Sequence, residues 1–414
     1  MKNVRLGIFG MNRGFDYADS FLMAGATIVA VCDTDKNRLK RATDRLGEGK
    51  VALYEDFDKF IEHDMDAVVI ANCFHEHTPY VIKCLERNIH VFCECTAAAT
   101  MADCVKLVRA CEKSDAIYML AENYPFMKFN KEMKRVCDGG TLGRIMYAEG
   151  EYNHPVGPSD EGFLRTYLPY PEHWRNFLPR SYYITHSLAP IMHMTGAFPV
   201  SVTAAPVFVP FPDDFPSGRY VGDRAAIVMT RNNDGSVFKV TGCAAFGAHG
   251  NSYRVCGENG QIENLRGMGD KVMLRYNGWN IPEGMQEVNF YEPEWNDRDE
   301  ELIKKTGHGG GDFLIAREFI DCIKEGRKPD FDVYFATRMS MVAILAHRSI
   351  LNNGATYEIP DLRDEEVRKS LENDNDTPFP GRNGEPATIP CCSKTDYAPT
   401  KEQFEAYMKM IGLC

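Results

Sequence analysis

Over the first 125 residues, short apolar runs alternate with amphipathic segments. Val4 to Phe9, Thr27 to Cys32, Ala67 to Ala71, His90 to Cys93 and Ile117 to Leu120 read as buried strands. Asp16 to Met23, Lys36 to Leu46, Thr78 to Arg87 and Met101 to Ser114 read as the helices between them. In the last of these, Val105, Leu107, Val108 and Cys111 recur at helical spacing. Strands that alternate with helices imply a doubly wound parallel sheet with right-handed crossovers, the Rossmann type of α/β fold.

After Leu120 the period changes. Phe126 to Cys137 reads as a helix that stops at Gly139-Gly140. A run of alternating strands follows: Ile145 to Tyr152, Val200 to Val209, Arg224 to Thr230, Val237 to Ala245, Ser252 to Cys256 and Lys271 to Tyr276. Consecutive strands predict a second, α+β domain with a largely antiparallel open sheet. One face of that sheet is expected to pack on helices and the other to meet a second copy of the chain, making a homo-oligomer. Late helices are expected at Phe313 to Glu325 and Phe335 to Asn352, with room to pack back on the first domain. The expected division is therefore 1–125, 126–364 and a turn-rich, charged tail over 365–414 with a short helix near Lys401 to Ile411.

With 414 residues, the chain exceeds what one core usually supports, in keeping with more than one domain. Its net charge of −12 lacks the electrostatic footprint of a nucleic-acid binder, although a locally basic pocket for an anionic small molecule remains compatible. No apolar run reaches the roughly 18 residues of a membrane span, and the N-terminus runs directly into a strand; the chain reads as cytoplasmic. The 14 cysteines are dispersed, with no CxxC pair, and are expected as reduced, mostly buried thiols.

The chemistry begins at Gly10-Met11-Asn12-Arg13-Gly14, between the first strand and its helix. There, backbone N–H groups at a helix N-terminus hold a pyrophosphate. The spacing departs from G-x-G-x-x-G, with Asn12 at the middle glycine. Asp33, about twenty residues on at the tip of the second strand, is suited to accept hydrogen bonds from an adenosine ribose diol. Its charge repels a 2′-phosphate, so NAD is expected rather than NADP. Asn72, His77 and Glu94 follow the carboxyl ends of later strands, where such ligands bind. His75-x-His77 has no acid or cysteine arranged to complete a metal site, and none is expected.

These residues resemble the Gfo/Idh/MocA family of sugar oxidoreductases over roughly Val4 to Asp361. Asp66 to Ala97 and Thr141-Leu142-Gly143-Arg144-Ile145 carry the likeness. Glu94-Cys95-Thr96 stand where common members have Glu-Lys-Pro with a proton-transferring lysine. A branch without that lysine, the NAD-dependent glycosidases of glycoside hydrolase family 109, is similar in several places. These are Ala121-Glu122-Asn123, Ala148 to His154, Trp174-Arg175, Tyr183-Ile184-Thr185-His186 and Gly307-His308-Gly309-Gly310 before Asp312-Phe313.

The resemblance implies an enzyme that uses NAD to oxidise a sugar hydroxyl, C3 of a pyranoside to a 3-keto sugar. The alternatives are a redox-neutral glycosidase (oxidation at C3, elimination at C1, hydration, re-reduction) and a non-catalytic NAD-binding sensor. Tyr152, His154, Tyr183 and His186 are the candidate catalytic groups, and histidine suits the handling of a hydroxyl proton near neutral pH. Tyr152 and His154 share strand parity. Glu122, Arg175 and His308 are the candidate contacts to a carbohydrate or glycoside. Plainer readings stand beside each: a helix-capping His186, a core Tyr152, a capping Glu122, a surface-paired Arg175 and a flexible-loop His308.

Overall fold

The computed structural model describes residues 3–157, 161–381 and 384–413. Its contacts separate two compact units. One comprises Met1–Lys131, Glu294–Ser340 and Asp361–Asp374; the other comprises Glu132–Pro293, Met341–Pro360 and Asn375–Cys414.

The first unit is built on six parallel strands: β1 (Arg5–Phe9), β2 (Thr27–Cys32), β3 (Ala52–Tyr54), β4 (Ala67–Ile70), β5 (His90–Cys93) and β6 (Tyr118–Leu120), in the order β3-β2-β1-β4-β5-β6. Every residue of β4 is fully buried, as a central strand covered on both faces requires. The order reverses between β1 and β4, and the crevice beyond their carboxyl ends is where open α/β sheets take ligands. Helix Gly311–Glu325 belongs to this unit. Its Phe313 and Leu314 form a core with Ile303, flanked by Met23, Phe126 and Trp295. Segment 361–374 is tied to helix Met101–Lys113 by charge: Arg109 pairs with Glu365 and with Glu372 at 2.8 Å, and Arg368 pairs with Glu112.

The second unit carries nine strands: β7 (Ile145–Asn153), β8 (Pro199–Phe208), β9 (Asp223–Asn232), β10 (Val237–Ala244), β11 (Gly250–Gly257), β12 (Gly260–Asn264), β13 (Val272–Tyr276), β14 (Val288–Tyr291) and β15 (Tyr357–Glu358). Their order is β14-β13-β12-β11-β7-β10-β9-β8-β15, antiparallel throughout except for β7 beside β10. Helix Thr185–Thr195 lies on β7, β10 and β11. It approaches so closely that a Cβ at Gly150 of β7 would meet the Ser187 carbonyl at 1.9 Å. The C-terminal helix Lys401–Ile411 seats Tyr407 and Met410 among Leu164, Leu168, Phe211 and Phe215. Among the described residues, no helix is long and apolar enough to cross a membrane.

Two differences from the sequence pattern have local causes. The first helix runs Met11–Met23 rather than from Asp16, because one left-handed residue, Gly10 (φ 93°), turns the chain from strand to helix. Met11 to Gly14 are thus its first turn. Strands β3, β12, β14 and β15 were not anticipated: none contains an apolar run of four, the signal that marks the equally short β4.

Candidate active site

In the first unit, Gly10 caps the helix at Met11 with no room for a side chain: a Cβ there would lie 2.3 Å from the Ala71 carbonyl oxygen. The first turn has four N–H groups without helical partners. That of Gly10 donates to the Cys32 carbonyl at 2.9 Å and that of Met11 to Asp33 Oδ2 at 2.7 Å, while the Gly14 N–H makes the first helical bond, to the Gly10 carbonyl. The N–H groups of Asn12 and Arg13 remain at the helix tip, with Asn12 exposed. Asp33 is 4% exposed, accepts from Asp35 N at 2.9 Å and stands 3.5 Å from the Arg38 guanidinium. Both amide atoms of Asn72, at the end of β4, are enclosed without a hydrogen-bond partner. An enclosed amide with nothing to bind points to a ligand group. A dinucleotide fits this set: donors at a helix tip, an acid at the tip of β2 and an unsatisfied amide at the strand-order reversal.

His77 stands behind that surface. It is 1% exposed, with Nδ1 2.7 Å from the Thr96 carbonyl and Nε2 3.4 Å from that of Asn72. Burial lowers its pKa, so the neutral ring braces the loops after β4 and β5. Glu94 accepts from the Tyr17 hydroxyl at 2.8 Å and from Cys95 N at 3.1 Å, and lies 3.4 Å from Arg13 Nε. Glu122 is fully buried; it accepts from Tyr124 N at 3.2 Å and Cys95 Sγ at 3.3 Å. Among the described residues, no group of three or more metal-ligating side chains assembles.

Asp312, one residue into its helix, organises the remainder and is marked in the sequence only by its place after the glycine run. Its carboxylate takes Arg13 at 2.7 Å, Asn123 Nδ2 at 2.7 Å and His308 Nδ1 at 2.8 Å. Burial opposes its charge, but His308 and Arg13 outweigh burial and hold its pKa well below the usual range. With Nδ1 engaged, His308 has Nε2 left to present from a ring that is 37% exposed.

In the second unit, all four candidate catalytic rings come together. Tyr152 and His154 project from the end of β7, Tyr183 from the 3-10 turn Arg180–Tyr183, and His186 from the first turn of helix Thr185–Thr195. Ring centroids lie 5.0 Å apart for Tyr152–His186, 5.2 Å for Tyr183–His186, 5.8 Å for Tyr152–His154 and 6.0 Å for Tyr152–Tyr183. A fifth ring, His249, lies 5.0 Å from His154. Nothing in its turn, Gly247-Ala248-His249-Gly250, marks it in the sequence. Burial lowers the pKa of His154, and His249, Arg175 and His186 lower it further. Arg175 is held between two aromatic faces, 4.7 Å from Tyr167 and 4.3 Å from Trp174.

Residues 4–122 match the family described as "Oxidoreductase family, NAD-binding Rossmann fold", and residues 247–368 match "Glycosyl hydrolase 109, C-terminal domain". A glycosyl hydrolase family 109 protein of Saccharopolyspora erythraea is 26% identical over 400 residues, covering 87% of this chain and 83% of that one. Glycosyl hydrolase family 109 protein 1 of Shewanella sp. (strain ANA-3) is 24% identical over 404 residues, covering 87% and 85%. Among solved structures, levoglucosan dehydrogenase in complex with NADH and levoglucosan shares the fold with a TM-score of 0.72 at 16% identity, over 87% of this chain and all of that one (100%). An oxidoreductase from Agrobacterium radiobacter in complex with NAD+, L-tartaric acid and magnesium does so with a TM-score of 0.67 at 18% identity, over 86% and 99%.

Proposed function

From a chain that joins an NAD-binding Rossmann domain of the Gfo/Idh/MocA oxidoreductases to a glycosyl hydrolase 109 C-terminal domain, we propose an enzyme that oxidises a pyranoside at its C3 hydroxyl. The observation that carries this reading is the gathering of His154, Tyr183 and His186 around Tyr152, each ring centroid 5.0 to 6.0 Å from that of Tyr152. Such a set of proton-transfer groups is what alcohol oxidation requires and cofactor storage does not.

The N–H groups of Asn12 and Arg13 would hold the pyrophosphate, Asp33 the adenosine ribose, and the Asn72 amide another polar group of the cofactor, with His77 and Glu94 bracing the loops around it. NAD bound there supplies the acceptor for the C3 hydride and, where turnover is redox-neutral, the donor that returns it. His186, paired with Tyr183, takes the proton of the hydroxyl. Tyr152 and His154 serve C2 deprotonation or the C1 leaving group. Arg175 and His308 contact the sugar, whereas Glu122, fully buried against Tyr124 N and Cys95 Sγ, braces the first unit from within.

A second reading, the redox-neutral glycosidase, is favoured by the match over 247–368 and by Cys95 in place of the lysine of simple dehydrogenases. Incubation of the chain with NAD and aryl glycosides separates the two. Accumulating NADH identifies the dehydrogenase, and aglycone release without net NADH identifies the glycosidase. Neither signal across a broad panel sinks both.

A further inference from the structure

Four arginines of the second unit stand together, and among the described residues no carboxylate pairs with them. The segments that carry two of them run side by side: Tyr220 N donates to the Asn176 carbonyl at 2.8 Å, and the Phe177 and Tyr220 rings stack at 5.0 Å. Arg175 and Arg219 are therefore neighbours, each one residue before this pairing. Arg180, 8% exposed, spends Nε on the Asp223 carbonyl at 3.1 Å and Nη1 on that of Cys243 at 3.4 Å. Arg224 donates to the Val209 carbonyl at 2.6 Å and lies 3.7 Å over the Phe211 ring, which also faces Arg219 at 5.8 Å.

None of the four makes an ion pair with a described carboxylate, whereas Arg13, Arg317 and Arg368 are each paired. The acid in their midst, Asp223, is 4% exposed and turned to Ser393, accepting from its N at 2.8 Å and its Oγ at 2.5 Å. Enclosure, together with Arg180, Arg175 and Arg224, pulls the Arg219 pKa down to about 9. In a chain of net charge −12, this is a local reversal of sign.

Enclosed charges are ordinarily paired, and like charges left together are costly. Planar guanidinium forks match carboxylate and phosphate oxygens. The cluster also borders the catalytic candidates: Cys243 and Ala244 end β10, and Ala244 accepts from His154 N at 2.8 Å.

We infer that Arg175 and Arg219, backed by Arg180 and Arg224, form an anion subsite, and that the substrate is a pyranoside bearing a carboxylate or a phosphate. This rests on the sugar-oxidising reading for the substrate's identity, but not for the subsite itself.

The test uses the full chain with NAD and matched aryl glycosides: a neutral hexoside, the corresponding hexuronide and the 6-phosphate. In parallel, calorimetry measures binding of the free hexose, hexuronate and hexose 6-phosphate. One anionic member is expected to exceed the neutral one in kcat/KM by about tenfold or more, and which member does so distinguishes carboxylate from phosphate. Arg219→Met keeps the packing of the stem on Phe211. It is expected to cut that preference by about tenfold, and Arg219→Lys to restore part of it. Ligand-free Arg219→Met is expected to melt no lower than the wild type, because an unpaired charge has been removed.

An undiminished preference in Arg219→Met, or equal turnover of neutral and anionic members, overturns the inference. A lowered melting temperature with an unchanged preference assigns Arg219 to structure alone and also overturns it. Arg219-dependent binding of hexuronate or hexose 6-phosphate without turnover of any glycoside supports the subsite and fails the catalytic reading. Turnover confined to neutral glycosides does the reverse.

Discussion

Tyr152 and His186 meet edge to face, with ring centroids 5.0 Å apart and planes at 90°. They are brought together by an absent side chain. Gly150 lies on the same face of β7 as Tyr152, and its bare Cα lets the first turn of helix Thr185–Thr195 rest on the strand. Tyr152→Phe and His186→Ala are each expected to lower turnover by about a hundredfold or more while NAD still binds, since proton-transfer groups typically contribute 10²–10⁴-fold. Gly150→Ala forces backbone away from backbone and is expected to cost about 1–3 kcal/mol in urea unfolding as well as activity. Turnover like the wild type in both ring variants removes these residues from the mechanism.

Asp33 and Arg38 stand 3.5 Å apart, and on the proposed reading they set the choice of cofactor. Asp33→Ser removes the charge that repels a 2′-phosphate and leaves Arg38 for it. The KM for NAD is expected to rise and that for NADP to fall, shifting their ratio by about tenfold or more. An unchanged ratio of the two cofactors in steady-state kinetics counts against the ribose contact.

Removal of Asp312 takes from Arg13 its partner at 2.7 Å, leaving it Glu94 and Asp16, leaves the buried Asn123 Nδ2 unpaired and frees His308 Nδ1. Asp312→Ala is expected to lower stability by about 1–3 kcal/mol, as leaving a buried donor unsatisfied does. Amide exchange over 307–311 is expected to quicken, because the carboxylate no longer holds His308 down. Full protection in that stretch contradicts the anchoring role.

Acid sensitivity follows from His347, 1% exposed with Nε2 2.7 Å from the Pro390 carbonyl. Burial pulls its pKa down to about 4, so the unfolded chain, near the ordinary 6.5, binds the proton first. Its contribution is whole above pH ~6.5 and is lost as pH falls toward ~4, on the order of 3 kcal/mol across that window. His77, lowered by burial, acts in the same direction. His347→Gln keeps an N–H for Pro390 and is expected to flatten the dependence. Urea midpoints that stay level on acidification refute the assignment.

Much of this was legible because it is local. The strands of the first unit are unbroken apolar runs, and Asp33 sits at a fixed remove from the first helix. Tyr152 and His154 share a face simply by parity. Gly10 misled only as to where the helix begins: the glycine pair looks like a loop, yet one left-handed residue makes the whole turn. His249 and Arg219 were not legible. Their significance arises from distant segments, the end of β7 for one and residues 175–177 for the other. A histidine between glycines and an arginine after one have no period to declare them. Asp312 was visible as a neighbour of the glycine run, but its three partners are set by tertiary packing.

The two units are interleaved along the chain, which passes from one to the other after residues 131, 293, 340, 360 and 374. Neither unit is therefore a contiguous stretch that can be expressed, exchanged or released by a single cut. A fragment ending near residue 131 lacks Phe313 and Leu314 from its core and Asp312 from Arg13. A change confined to one unit has to come by substitution within the shared frame rather than by exchange of a contiguous module.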